Sequence, residues 1–361
     1  MSRAVCGRLM SVRALRFVLL GIVLAAAVLV GARWGRLRPV AALHGEVFTR
    51  PVAQGRAVAW LERRTDGDYL LLWSGRGSPR ELLSAPTLGG LAFFGDCLFT
   101  TRGDAGGTAD LLSLDTHTGK QERLASLTAP ASALAVDGDW ICGLSSSDRG
   151  PSSIRFIVAA GGADQLWTVP RRGGRPTSLT QTRGGVEGRM RLLGTCSGYV
   201  YWALRNSRGV GATTLLRRRL PDGAPEVLAR EPGPQDAVLA GTQVAWTCYS
   251  REAATPSARR AVKAAALSGE NPRVIADWLS PEVLLLSSEA GLYAYEWEAL
   301  WRLGRARGEQ WIVAYGSTQR RAPAVAAGVE YVLEQEKQEK VPRLSARGLS
   351  WPAKLRLALG L

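Results

Sequence analysis

One pattern recurs along this chain seven times: a short apolar run, a Gly-containing turn, a second apolar run, a loop, then a third run that ends in a Gly turn and Leu or Ile. Strand-patterned units of this size cannot bury a face alone and must stack on one another, so the repetition constrains the fold more than composition does. The third run reads Leu70-Leu71-Leu72-Trp73 then Gly77, Leu111-Leu112-Ser113-Leu114 then Gly119, Leu166-Trp167-Thr168-Val169 then Gly174, and Leu300-Trp301-Arg302-Leu303 then Gly308. A fainter last copy runs from Arg343 through Gly348 to Leu357.

Upstream of each copy lies a second hairpin, as in Val52 to Trp60 around Gly55, Leu91 to Phe99 around Gly95, Leu134 to Cys142 around Gly138 and Leu192 to Trp202 around Gly198. Two hairpins make four strands per unit. Trp60, Phe99, Trp202, Trp246 and Tyr295 recur at equivalent places in the second strand, where bulky rings suit wedging between stacked sheets. A β-sandwich also yields short strands at regular spacing, but it needs no self-similarity. The expected fold is all-β: a β-propeller of about seven four-stranded blades, with six or eight as the margin, since radial closure removes the long sheet edges that a stack would expose. Glu46 to Arg50 reads like the outer strand that ends the other repeats and is expected to pair with the last blade.

The turn grammar resembles the TolB-like and WD40-like propeller repeats. Ala133 to Trp140, with its Asp137-Gly138-Asp139 turn, followed by Gln165 to Thr180, is the closest copy. The resemblance covers about residues 46 to 361 and implies a fold, not an activity, because such propellers host unrelated functions. The Trp-Ser-Pro-Asp-Gly turn common in that family occurs in no unit. Leu114 to Lys120 is similar to one repeat of the quinone-binding dehydrogenase propellers, but it occurs once and implies no cofactor; none is expected.

Residues Phe17 to Ala32 form an uncharged apolar run of 16 residues, preceded by Arg3, Arg8, Arg13 and Arg16. A secretory core is about 7 to 15 residues long and a full span about 20, so the run lies between the two. Val30-Gly31-Ala32 offers a small-residue cleavage site, whereas Trp34 with Arg33, Arg36 and Arg38 reads as an interfacial collar. The expectation is an uncleaved transmembrane helix: a basic segment 1–16, an anchor 17–32, a linker 33–45 and a propeller 46–361. The arginine bias places the N-terminus inside a bacterial cell membrane and the propeller outside the cytoplasm.

The formal charge is +15, but 7 of the 46 basic residues lie in the first 40 positions, leaving 39 against 31 acids, a net +8, for the remainder. That balance suits anionic partners. Only 5 of the basic residues are Lys, which with abundant Ala and Gly points to a codon habit. Nucleic acid is not expected, for want of an aromatic-basic motif. Cys97, Cys142, Cys196 and Cys248 fall about one per blade with no metal-ligand spacing, and buried free thiols are expected. With only His44 and His117, a Ser/His/Asp or His-metal site has almost nothing to work with, and neither a catalytic nor a metal residue is assigned. The inner runs Leu91-Ala92-Phe93-Phe94, Val238-Leu239-Ala240 and Val283 to Leu286 predict an apolar, uncharged channel wall; Glu187, Asp236 and Glu282 precede inner runs as solvated turn carboxylates.

The loops between second and third strands are long in three adjacent repeats: Ser145 to Ser153, Arg205 to Thr213 and Ser250 to Arg260. Equivalent propeller loops emerge on one face, so Arg149, Arg205, Arg208, Arg251 and Arg259 are expected to form a basic binding rim, with Arg260 beside them. The expected function is a membrane-tethered, extracytoplasmic, monomeric binding or scaffold module for a protein, peptide or glycan at that face. The competing class is an exported enzyme of lyase or lactonase type using turn carboxylates and a divalent cation.

Overall fold

The computed structural model describes residues 38 to 348 except 105, 147–162, 183–187, 207–211, 233–235, 250–258, 289–290, 297–298, 305–309, 316–319, 327–328 and 335–342. The expected segments 1–16 and 17–32 lie outside the described residues. Every regular element among the described residues is a strand, and the strands form seven antiparallel sheets.

Sheet 1 comprises Glu46–Val47 and Val52–Gln54, then Ala57–Arg64, Gly67–Trp73 and Arg80–Ala85. Sheet 2 holds Thr87–Phe94, Cys97–Gly103, Ala109–Asp115 and Gln121–Leu127; sheet 3 holds Ala131–Asp137, Trp140–Ser146, Asp164–Pro170 and Thr177–Gln181. Sheet 4 is Arg189–Cys196, Tyr199–Arg205, Thr213–Arg219 and Pro225–Glu231, and sheet 5 is Ala237–Ala240, Gln243–Tyr249, Arg260–Ala266 and Arg273–Leu279. Leu284–Ser288, Gly291–Glu296, Ala299–Leu303 and Gln310–Tyr315 make sheet 6. Sheet 7 joins Arg320–Ala326, Val329–Glu334 and Arg343–Gly348 to Arg38–Ala42 from the other end of the chain.

First strands of successive sheets adjoin one another, and the first strand of sheet 7 adjoins Val52–Gln54 of sheet 1. The apolar core follows the same circuit. Among the described residues it forms not one central cluster but seven, each between neighbouring sheets: Phe48, Leu61, Leu70, Leu88 and Leu98 between sheets 1 and 2, for example, and Phe99, Leu111, Leu134, Ile141 and Trp167 between sheets 2 and 3. The last to close the circuit sets Val329, Tyr331 and Ala346 of sheet 7 against Val58, Trp60 and Trp73 of sheet 1. This is a propeller-type arrangement, in which a strand is covered on both faces and therefore reads as continuously apolar. The second-strand rings fill the expected wedge positions: Trp60, Phe99, Trp202, Trp246 and Tyr295 are all buried between sheets. Burying each contributes roughly 2–3 kcal/mol before entropy is counted.

Two expectations about the ends are corrected. Glu46 to Arg50 does not pair with the last sheet; Glu46 and Val47 pair with Arg63 and Glu62 as part of the divided first strand of sheet 1. The seam strand is Arg38–Ala42, inside the span expected to be linker, and it pairs with Arg343 to Ala346. The stretch toward Leu357, expected to continue the last repeat, lies outside the described residues from 349 on.

All four described cysteines are free. Cys142 and Cys248 are buried as expected, with burial pushing the Cys142 thiol up to about 12. Cys97 and Cys196 are only half-buried, because each sits at the hairpin turn rather than mid-strand.

Candidate functional site

Because the sheets are antiparallel meanders, the loops joining second to third strands and the links from each fourth strand to the next first strand open on one face. On that face topology places the starts of first and third strands and the ends of second strands. Asp68, Asp164, Arg189, Arg205 and Arg259 all sit there, with Asp236 just before the first strand of sheet 5.

The buried carboxylates of this face bind the ring together. Asp68 accepts Arg63 Nε at 2.8 Å and Nη2 at 3.1 Å, and its Oδ2 accepts the Leu88 amide of sheet 2 at 3.0 Å. Asp164 repeats the device two sheets on, accepting the Met190 amide of sheet 4 at 2.7 Å and Arg189 Nη1 at 3.1 Å. Between them Thr101 Oγ1 accepts the Ala131 amide at 3.0 Å. Asp236 accepts the Leu285 amide of sheet 6 at 2.6 Å and pairs with Arg191 of sheet 4, so it joins three sheets. A backbone amide at the inner end of a strand has no ladder partner on that edge, and an oxygen from the preceding sheet supplies one. Glu62 does similar work at the seam, accepting the His44 amide at 2.8 Å and Arg64 Nε at 2.9 Å.

Of the carboxylates read as solvated turn groups, Asp236 is therefore corrected: it is buried and engaged. Glu282 is exposed in a turn, and Glu187 lies outside the described residues. The Asp115 motif is a self-contained turn, its carboxylate accepting the His117 amide at 3.0 Å and the Thr118 amide and hydroxyl at 2.7 and 2.9 Å, which holds its pKa below the usual carboxylate range. Arg80 of sheet 1 donates to the carbonyls of Thr116 and His117, so the turn docks neighbouring sheets.

Of the predicted rim, Arg149, Arg208 and Arg251 lie outside the described residues. Arg205 is half-buried at the end of its strand and Arg259 is exposed, on the same face of adjacent sheets. Arg260 is no rim group: it is buried, with its guanidinium over the Tyr249 ring at 4.5 Å. A cleft of about 350 Å³ opens between Pro86, Arg102, Asp104, Thr108 and Asp110 on this face. Its charges are mutually satisfied, with Arg102 and Arg123 on Asp110 at 3.1 and 2.7 Å and Asp104 holding Thr108. Among the described residues no three His, Cys, Asp or Glu side chains gather as a metal site.

The expected uncharged channel wall is also corrected. The first strand of sheet 4 begins at Arg189, three residues before the apolar run that suggested it, and so carries Arg191 onto the innermost strand. Burial, and then the like charge of Arg50, push the Arg191 guanidinium pKa down to about 9. Arg50 sits in the break of the divided first strand of sheet 1, and burial lowers its pKa too. Sequence reasoning missed both. The alternation Arg189-Met190-Arg191-Leu192 was the available signal, since period-two patterning extends the strand upstream.

No family model matches the sequence, and no curated protein matches it either. Solved structures do. An oligogalacturonate lyase from Vibrio parahaemolyticus is 10% identical, with a TM-score of 0.60 over 86% of this chain and 92% of that one. The acylaminoacyl peptidase of Pyrococcus horikoshii is 13% identical with a TM-score of 0.58 over 82% of this chain, which spans only half of the peptidase's length, 50%. The β-propeller domain of the Trilobed protease from Pyrococcus furiosus, described as having an open velcro topology, is 10% identical with a TM-score of 0.54, covering 87% and 97% of the two chains. At these identities the likeness concerns the fold alone, and the fold is of propeller type.

Proposed function

We propose that this chain is a seven-bladed, membrane-tethered propeller that binds an acidic protein, peptide or glycan across its loop face, with the propeller held outside the cytoplasm by the segment 17–32. The blade number is supported by seven sheets whose first strands adjoin in a closed circuit. The observation that carries the binding reading is the division of labour among charges. Buried Asp68, Asp164 and Asp236 are committed to neighbouring sheets, whereas Arg259 is exposed on the same face with no carboxylate partner among the described residues. Unneutralised arginines on a loop face favour encounter with acidic surfaces more than they favour folding.

Poly-L-glutamate binding by the full chain tests this. Replacing Arg149, Arg205, Arg208, Arg251 and Arg259 by Ser is expected to lower affinity at least tenfold and flatten its salt dependence, with Tm nearly unchanged; equal binding and equal salt dependence in the variant refute it. A reporter fused after Arg38 is expected to read out on the outer side of the membrane, and a cytoplasmic readout removes the tether.

The likeness to oligogalacturonate lyases, one of them solved in complex with manganese, favours a second reading as an exported enzyme. The commitment of Asp236 to Arg191 and Leu285 weighs against it as a turn-carboxylate cation ligand. Turnover of an acidic oligosaccharide by the Mn²⁺-supplemented full chain would select that reading over the first.

A further inference from the structure

The face opposite the loops is where the chain enters the ring. Each antiparallel meander turns there twice, between its first and second strands and between its third and fourth. The seam strand Arg38–Ala42 takes the place of a fourth strand, with Arg38 beside Ala346 and Ala42 beside Arg343, so Arg38 lies toward the hairpin end and Ala42 toward the loop end. Only residues 33–37 separate Arg38 from the apolar run that ends at Ala32. Fully extended, that stretch reaches at most about 20 Å, whereas a seven-residue strand such as Cys97–Gly103 sets the loop face about 23 Å farther away.

The turns of this hairpin face are basic. Arg56 and Arg76 of sheet 1, Arg172 and Arg175 of sheet 3, and Arg219 of sheet 4 are exposed there, and none has a carboxylate partner among the described residues. The two turns of sheet 1 abut, since a methyl group on Gly75 would stand 3.2 Å from Arg56 Cβ, and sheet 1 borders the seam sheet. The sheet 3 turn is pinned by Arg171, which donates to the Gly138 carbonyl and lies over the Phe94 ring, while Arg172 and Arg175 stay exposed. Several acids of the same face are engaged: Asp96 contacts His117 at 3.3 Å, Asp115 closes its own turn, and Asp137 accepts the Gly198 amide at 3.0 Å. Asp139, Asp222 and Glu270 remain exposed, too few to balance the arginines.

Exposed arginines contribute little to folding, but within a Debye length of about 10 Å they are attracted to anionic lipid headgroups. We propose that the hairpin face docks on the membrane that holds the tether, its arginines against anionic phospholipid headgroups, which turns the loop face away from the bilayer. The proposal rests on the tether reading above: strand direction supplies the nearness and the turn arginines the attraction.

Cys97 and Cys196 sit half-buried at turns of this face and serve as reporters. The full chain is reconstituted into phosphatidylcholine vesicles with or without phosphatidylglycerol, and alkylation of each thiol by a membrane-impermeant maleimide is followed by peptide mass spectrometry. With phosphatidylglycerol both thiols are expected to react about fivefold more slowly, and about 0.5 M NaCl is expected to remove the difference. Glu282→Cys places a thiol on the loop face, which is expected to react equally on both vesicles. With Arg56, Arg76, Arg172, Arg175 and Arg219 all replaced by Ser, Tm is expected to hold and the protection to vanish. Equal rates on the two vesicles in wild type, equal protection at position 282, or undiminished protection in the variant overturns the proposal. The tether is read separately: a chain that high salt washes from phosphatidylcholine vesicles has no anchor, whereas salt-sensitive protection of Cys97 and Cys196 by phosphatidylglycerol would still establish the face.

Discussion

Replacing Asp164 tests whether buried carboxylates, and not apolar contact alone, lock one sheet to the next. In Asp164→Ala the Met190 amide loses a 2.7 Å bond to a carboxylate, and both groups are buried. A charge-assisted bond of this kind contributes about 1.5–3 kcal/mol. Arg189 loses its ion pair, but its side chain is 32% exposed and keeps Ser146 Oγ at 2.9 Å, so that part adds at most about 1 kcal/mol. The expected cost is therefore about 2–4 kcal/mol. Asn keeps an oxygen for the Met190 amide and should cost roughly half as much. Asp110→Ala is the control: it also breaks two arginine contacts, but those partners are 41% and 59% exposed and the cost should stay below about 1 kcal/mol. Urea unfolding followed by tryptophan fluorescence reads the difference, which at a slope of about 3 kcal/mol per molar moves the Asp164→Ala midpoint by roughly 1 M. If Asp164→Ala and Asp110→Ala shift the midpoint equally, the carboxylate is not what joins sheets 3 and 4.

Two further outcomes follow from the seam. A chain begun at Glu46 lacks the fourth strand of sheet 7 and uncovers Arg343 to Ala346, so its urea midpoint is expected well below that of a chain begun at residue 33; equal midpoints would show that the seam strand is dispensable. Tyr331 is buried edge-on to Trp73 at 6.1 Å, and burial pushes its phenol up to about 12. An unfolded tyrosine ionises near 10, so the stability this group contributes is complete below about pH 10 and is lost as pH rises toward 12. Between pH 8 and 11.5 wild type should lose about 2 kcal/mol more than Tyr331→Phe, and equal losses would show that this phenol does not titrate out of the core.

The hairpins were legible because their turns demand a residue that tolerates positive φ. Gly95 at +57° and Gly138 at +50° mark second-strand entries where any side chain would be strained, and the apolar runs beside them needed no further decoding. The seam was not legible. Arg38-Pro-Val-Ala-Ala lacks alternation and carries a proline, and its register slips between Pro39 and Ala41, so only a partner some 300 residues away defines it as a strand. Glu46 to Arg50 misled for a related reason. Val47 packs in the cluster between sheets 7 and 1 while its neighbour Phe48 packs between sheets 1 and 2, so an inner strand covered on both faces reads the same as an outer one.

The charged residues show where local pattern stops and the ring begins. Asp68 and Asp164 each open a third strand next to a turn, a position where a carboxylate is ordinarily solvated, and nothing within ten residues of either discloses the Leu88 or Met190 amide that buries it. Each such aspartate satisfies an amide the fold would otherwise orphan, which makes its burial consistent with the rest of the architecture. Arg191 fits the same rule from the other side, since the Asp236 that accepts the Leu285 amide of the next sheet also pairs with its guanidinium.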